Sequence, residues 1–179
     1  MADDHPTVNH SSGKKLLQLT LLGWISMIGV DFLLHGGLLA SIYIQKSPFL
    51  LSSLESFRRI PLGFLALLVS SGFLVWILRQ SEVKGWQKGL RAGAFSGALV
   101  GAFLALGLYS ISTTSIQIMV AWFAGEVLEM GVAGVVIGQG FAIEKMRGLT
   151  LTVVIGVLFL FIIVIIMQSV GLAPSIVIR

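Results

Sequence analysis

Five long apolar runs, separated by short polar gaps, constrain the fold of this chain more than any other feature. Each run reaches the ~20 residues that an α-helix needs to cross the hydrocarbon core of a bilayer. Backbone amides in lipid must be paired within the protein, and a helix achieves this within one segment. The sequence therefore predicts an all-α, polytopic transmembrane helix bundle. Its expected spans are residues 16–44, 60–78, 90–111, 115–143 and 149–172.

The charge content supports a membrane environment. The 179 residues are 56% hydrophobic and only 11% charged, whereas soluble domains have about 25% charged residues. We expect a single transmembrane domain over residues 16–172, between a polar cytoplasmic tail (1–15) and a short C-terminal tail (173–179). The net charge of +4 comes from basic residues in the gaps between spans. The lipid bilayer is therefore the expected partner, and a nucleic-acid partner is not expected.

The positions of the basic residues predict the orientation. Cytoplasmic connections are enriched in Lys and Arg. With the N-terminus in the cytoplasm, eight of the 12 basic residues lie inside: Lys14, Lys15, Arg79, Lys84, Lys88, Arg91, Lys145 and Arg147. Four lie outside: Lys46, Arg58, Arg59 and Arg179. The sequence predicts a cytoplasmic N-terminus and an outer C-terminus.

The chain lacks the motifs of common enzymes. It has no cysteine, which excludes disulfides, thiolate ligands and a cysteine nucleophile. It also has no phosphate-binding loop, Gly-x-Ser-x-Gly elbow or His-Glu-x-x-His helix. We therefore predict a non-enzymatic role and expect no cofactor, with a divalent metal as the alternative considered below.

Four ionisable residues lie well inside the predicted spans, away from the span ends. Asp31 and His35 are four residues apart in the first span, and Glu126 and Glu129 are three apart in the fourth, so each pair shares a helical face. A charge at the centre of a membrane helix costs roughly 2.5–3.5 kcal/mol on insertion scales. Such residues therefore need a partner, a proton or a functional reason. We regard these four as the candidate site.

The depth of each residue in the membrane predicts how the two pairs meet. The first span runs outward and the fourth inward, and each residue rises by about 1.5 Å along a helix. His35 should then face Glu126 nearer the outside, and Asp31 should face Glu129 below. This hypothesis requires contact between the first and fourth spans. Three roles stay open for the group: hydrogen bonds between helices, a proton or small-cation pathway, or a divalent metal such as zinc, manganese or iron.

Glycines mark a packing surface. Gly89, Gly93, Gly97 and Gly101 recur every four residues in the third span. Small residues at this spacing let another helix approach closely. The fourth span follows after a very short link and offers Gly125, Gly131, Gly134 and Gly138. We predict that this stripe packs within the chain, with packing against a second copy as the alternative.

The sequence also predicts the structure of one connection and the position of the fifth span. Residues 45–59 form a longer outer connection, in which apolar residues at helical spacing predict a short helix on the membrane surface; an ordinary linker is the alternative. The fifth span is almost uniformly large and aliphatic. It should therefore lie at the edge of the bundle, against lipid or a partner subunit.

Three stretches of the sequence resemble a group of small bacterial integral membrane proteins with a His-Gly…Tyr first helix and a Trp…Glu…Gly later helix. The stretches are residues 31–43 (DFLLHGGLLASIY), 89–97 (GLRAGAFSG) and 121–131 (AWFAGEVLEMG). An acidic, arginine-bearing outer segment follows the first helix of that group, and Glu55, Arg58 and Arg59 occupy its position here. The residues that match the motifs include His35, Tyr43, Arg91, Trp122 and Glu129. The resemblance covers roughly residues 20–143 and implies a bundle of at least four helices in a bacterial inner membrane. It implies no activity.

Taken from the sequence, the first hypothesis for function is a non-enzymatic membrane protein, such as an accessory subunit that binds a protein partner or a second copy. The alternatives are translocation of protons or small cations, and metal binding, both through Asp31, His35, Glu126 and Glu129.

Overall fold

The computed structural model describes residues 10–44 and 49–174. These residues form helices and short links, with no strand among them. The helices are α1 (His10–Leu33), α2 (Ala40–Tyr43), α3 (Ser53–Gln80), α4 (Trp86–Ile111), α5 (Ile116–Ala142) and α6 (Arg147–Ser169), and a π-helical segment, Leu34–Leu38, follows α1. Five helices are long and apolar enough to cross a membrane. The predicted all-α, polytopic bundle is confirmed.

The long helices alternate in direction, which gives the bundle two ends. The near end holds the start of α1 and the links 81–85 and 143–146. The far end holds α2 and the link 112–115, and α3 begins there. Helix α1 lies in the middle and contacts α3, α5 and α6, whereas α4 packs mainly on α5. Contact between the first and fourth spans, α1 and α5, is therefore confirmed.

Glycine residues bring the backbones of α4 and α5 together. A methyl group at Gly89 would overlap the carbonyl oxygen of Gly134, and one at Gly93 would overlap that of Met130. At Gly97 the same obstacle is the carbonyl oxygen of Glu126. Only glycine permits this approach, because any Cβ would displace backbone rather than a flexible side chain.

The other predicted glycines play unequal parts at this interface. Gly138 lies against the backbone of Gly89, and a methyl group at Gly101 would sit 3.1 Å from the Cβ of Glu126. Gly125 and Gly131 have only ordinary van der Waals neighbours, beginning at 3.8 and 3.5 Å. The stripe on α4 therefore packs within the chain, but it meets only part of the glycine surface of α5.

The near half of the bundle has a dry, well-filled core between α1, α3 and α5. Its fully buried large side chains are Leu19, Met27, Leu74, Leu78, Met130 and Ile137. Two side chains of the α1–α3 contact donate to backbone carbonyls of the opposite helix: Ser71 Oγ to Thr20 (2.8 Å) and Trp24 Nε1 to Phe64 (2.7 Å). Such bonds fix the rotation of one membrane helix against another.

The segment before the second span differs from both expectations. Residues 53–59 form neither a separate surface helix nor a linker, because α3 begins at Ser53 and continues without a break to Gln80. The helix starts there because Ser52 and Glu55 form a capping box that satisfies free amides of its first turn. Residues 45–48, with Lys46, lie outside the described residues, as does Arg179.

Both chain ends also refine the predicted boundaries. Helix α1 begins at His10, inside the segment predicted to be a polar tail, and residues 1–9 lie outside the described part. Helix α6 ends at Ser169. It contacts mainly α1. On its buried side, Val153 packs with Leu22 of α1, and Val164 lies against Gly36 and Gly37 of the π-helical segment. The prediction that the fifth span lies at the edge of the bundle is confirmed.

Candidate functional site

The first span is not one regular helix. At Leu34 the α-helical pattern gives way to a π-helical turn, closed by a hydrogen bond from Leu39 N to Leu34 O (2.7 Å). Gly36 and Gly37 in this turn lie against Val164 and Met167 of α6. Gln168 Nε2 donates to the carbonyl oxygen of Gly36 (2.8 Å). Single π-helical turns are rare and occur often at functional sites, and this one holds His35.

Asp31 and His35 contact each other directly. His35 Nδ1 lies 2.9 Å from Asp31 Oδ1 and 3.1 Å from the backbone oxygen of Asp31. On its other side, the imidazole ring lies against the Tyr43 ring, with the centroids 4.6 Å apart. The carboxylate and the tyrosine ring therefore hold the imidazole from two sides.

Glu126 and Glu129 complete the group from α5. Glu129 is 4% exposed, and its carboxylate receives no hydrogen bond within the part of the chain that the structure describes. One donor atom each from Asp31, His35 and Glu129 lie within 4.8 Å of one another. Glu126 interacts electrostatically with both Asp31 and His35. Asp31, His35 and Glu129 therefore form one compact group with Glu126 beside it, and we call these four residues the acidic cluster. The predicted rungs are not separate, because Glu129 lies close to His35 as well as to Asp31.

A cavity of about 610 Å³ lies above the acidic cluster and extends toward the far end. All four residues of the cluster line it, together with Tyr43. Its walls are mostly apolar and come from α3, α4, α5 and the link before α3: Leu50, Leu51, Phe57, Ile60, Phe64, Leu67, Leu104, Leu108 and Trp122. The site is thus an apolar chamber with acids and an imidazole at its inner end.

Two polar atoms in this chamber are buried without a partner. Tyr43 Oη and Glu126 Oε2 have no solvent exposure and no hydrogen bond among the described residues. Buried polar atoms in native proteins are nearly always paired, so each exception needs an explanation. Glu126 Oε2 is an acceptor and the Tyr43 hydroxyl can donate or accept, so a small rotation of either side chain into the chamber would let a ligand supply the missing hydrogen bond.

The chamber exists because the first half of α3 stands away from the other helices. Leu54, Leu62 and Leu65 are exposed there, whereas the second half of α3 is packed into the near-end core. Pro61 lies in this first half and cannot donate a hydrogen bond to the carbonyl of Phe57. Below the cluster the packed core closes the chamber toward the near end.

The sequence identified the residues at the inner end of the chamber but few of those that line its walls. Tyr43 and Trp122 appeared only as residues of the motif, Phe57 only as an apolar residue of the predicted surface helix, and Phe64 and Leu104 were not singled out. The capping box at Ser52 and Glu55 was a readable pattern for the early start of α3. No pattern in the sequence indicates that α3 leaves a space beside α4 and α5.

A comparison of the chain with protein-family models, curated proteins and solved structures finds no match.

Proposed function

We propose that this protein binds a lipophilic amine in the chamber, with the ammonium group at the acidic cluster and the apolar body between α3 and α4. The observation that carries the proposal is the 610 Å³ chamber, which lies within the membrane bundle and ends at three carboxylates. The volume falls in the range of about 300–1,000 Å³ that is typical of sites for drug-sized molecules. A proton or bare ion would leave most of it unfilled.

The walls select for an apolar body. Apolar cavities do not retain water, since water needs polar partners. Phe57, Ile60, Phe64 and Leu104 offer none with their side chains. A hydrocarbon or aromatic body therefore fills this space at lower free energy than water.

The inner end selects for a positively charged head group. Three carboxylates face a single imidazole there, so negative charge is in excess when the acids are ionised. An ammonium group has three donors and no acceptor, which suits the unpartnered Glu126 Oε2. The Tyr43 and Trp122 rings also line the chamber, and aromatic faces attract cations. A lipophilic carboxylate would be repelled.

The closed near end favours binding over conduction. Met27, Leu74 and Met130 are fully buried below the cluster, and a proton or small cation crossing the bundle would need this core to open. We therefore place translocation, one of the alternatives drawn from the sequence, behind binding.

Thermal unfolding of the purified protein tests the proposal. Dodecylamine, dodecanol and dodecanoate would be added to a nonionic detergent at equal mole fractions. At a free concentration about 100 times its Kd, a ligand stabilises by about 2.7 kcal/mol, or roughly 5–10 °C for a chain of this size. We expect that shift for the amine, a smaller one for the alcohol and none for the carboxylate.

Two matched glycine variants serve as controls. Gly63 lines the chamber, Gly156 on α6 does not, and both have open space where a side chain would project. Gly63→Phe should fill the chamber and abolish the shift, whereas Gly156→Phe should keep it. An equal response of both variants to dodecylamine, or an equal effect of all three probes, would refute the proposal.

A second candidate, the accessory subunit, is favoured by α6. Most of its large side chains are exposed, including Leu158, Phe159 and Ile162. We propose this face as the contact with a membrane partner or a second copy. Native mass spectrometry from lipid nanodiscs should then show a complex of fixed stoichiometry, whereas a monomer that carries only lipid would argue against it.

We also propose that the membrane is the bacterial inner membrane, with the near end in the cytoplasm. The resemblance to bacterial membrane proteins supports the choice of membrane, and the excess of basic residues in the links of the near end supports the orientation. Reporter fusions after residue 179 should be active for an alkaline phosphatase and dark for a cytoplasmic fluorescent protein. The reverse result would invert the orientation.

A further inference from the structure

We infer that Asp31, His35 and Glu129 form a site for one divalent transition-metal ion at the inner end of the chamber. The inference deepens the proposed function, because it concerns the floor of the same chamber. It rests on that proposal only in treating the chamber as accessible to ligands. A metal could bind here even if no lipophilic amine does.

The geometry of the donors carries the inference. Their donor atoms lie within 4.8 Å of one another, although they come from two helices. His35 and Asp31 already contact each other at 2.9 Å.

Glu129 supplies an independent observation. Its side chain is 4% exposed, lines the chamber and receives no hydrogen bond from the described residues. A buried carboxylate without a donor is costly, and buried charges in proteins are paired or coordinate metals. Since α4 packs its backbone onto the opposite side of α5 through Gly93 and Gly97, Glu129 is held on a rigid support.

The ligand types identify the class of metal. One imidazole and two carboxylates suit zinc, manganese or iron better than calcium or magnesium, which prefer oxygen ligands alone. Three protein ligands leave a coordination position open. All three ligand residues line the chamber, so an open position would be accessible from it, and Glu126 lies one turn away on α5.

The charges of a divalent metal and an ammonium group would balance those of the carboxylates. The three carboxylates carry three negative charges when ionised, and a divalent metal with one ammonium group neutralises them while His35 stays neutral as a metal ligand. In this arrangement the metal occupies Asp31, His35 and Glu129, and the amine faces Glu126 and Tyr43. Neutralisation matters because uncompensated charge at mid-membrane is costly.

Cobalt substitution tests the site directly. The full chain, purified without a polyhistidine tag and stripped with a chelator, would be dialysed against Co²⁺ and analysed by mass spectrometry and visible absorption. We expect one Co²⁺ per chain and an absorption band typical of low coordination number. Loss of an outer-shell residue commonly weakens metal binding 10–100-fold, so removing the ligand in Glu129→Gln should weaken it by roughly 100-fold or more.

Matched variants distinguish a specific metal site from nonspecific binding to acidic residues. Glu144 is an exposed acid in the near-end link, so Glu144→Gln removes the same charge and should retain Co²⁺. His35→Gln should lose it and Gly63→Phe should keep it, because the phenyl group fills the chamber above the cluster. Wild-type protein without stoichiometric Co²⁺, or equal binding by Glu129→Gln and Glu144→Gln, would overturn the inference. Wild-type protein that binds Co²⁺ but shows no shift with dodecylamine would refute the proposed amine ligand alone.

Discussion

Below the acidic cluster, and between α4 and α5, helices pack closely, and at Gly89, Gly93 and Gly97 no space remains for one more methyl group. Above the cluster, α3 stands apart from α4 and α5 and leaves a chamber of about 610 Å³. In the first region, glycines and fully buried leucines and methionines determine the distances. In the second, large apolar side chains line an opening that the protein itself does not fill. The difference indicates a rigid half that supports the cluster and an open half that receives a ligand.

The largest effect should come from the closest packing. Gly93→Ala places a methyl group on the carbonyl oxygen of Met130. Overpacking typically costs 1–3 kcal/mol, and overlap with backbone should cost at least about 3 kcal/mol. Unfolding in mixed micelles of increasing SDS fraction, followed by circular dichroism, would measure the loss of unfolding free energy.

Gly107→Ala is the matched control on the same helix. Nothing lies within 4 Å of the position of its new methyl group, so it should be neutral or stabilise by up to about 1 kcal/mol. Similar losses of unfolding free energy for Gly93→Ala and Gly107→Ala would show that the stability of α4 in the bundle does not depend on backbone contact with α5.

A pair of leucines tests the contrast between the two halves. Leu74 is 0% exposed in the near-end core, and Leu104 is 43% exposed on the chamber wall. Truncation of buried leucines costs about 2–5 kcal/mol, so Leu74→Ala should lose about 2–4 kcal/mol. Leu104→Ala should lose less than about 1 kcal/mol. If the same experiment gives equal losses of unfolding free energy for Leu74→Ala and Leu104→Ala, the chamber is filled by protein rather than open.

The contact between α6 and the π-helical segment should have a moderate effect. Gln168→Met removes the hydrogen bond to the Gly36 carbonyl at nearly constant volume. A hydrogen bond between membrane helices contributes roughly 1 kcal/mol, and we expect a loss of that size together with weaker binding of dodecylamine. Gln117→Met, at an exposed position on α5, should change neither property. Unaltered dodecylamine binding in Gln168→Met would show that α6 does not position His35.

The smallest effect concerns the α1–α3 contact. Ser71→Ala removes the bond to the Thr20 carbonyl. Such bonds average about 0.6 kcal/mol in membrane proteins. Ser169→Ala removes a hydroxyl that donates to its own helix at an exposed position, so its unfolding midpoint should not move. A loss in Ser71→Ala no larger than in this control would leave Trp24 as the main polar link to α3.

The sequence predicted much of the site but not its shape. Asp31 with His35, and Glu126 with Glu129, could be paired in advance because helical spacing and depth place them on facing surfaces at one level. The close group of Asp31, His35 and Glu129 could not, since it includes a π-helical turn that no local pattern marks. The walls were missed because Phe57, Phe64 and Leu104 look the same in sequence whether they face lipid, a core or a chamber.

The sequence by itself determined the number of spans, their helical nature and the glycine stripe, because length, hydropathy and residue size act locally along the chain. Only the tertiary structure decided that α3 is held against α1 at Ser71 and Trp24 while its first half stands free, and that α6 packs on the π-helical turn. Helices that are equally apolar on all sides can be rotated or shifted at little cost in hydropathy. Side-chain shape and a few hydrogen bonds between helices therefore select the arrangement, and these contacts exist only after the helices have assembled.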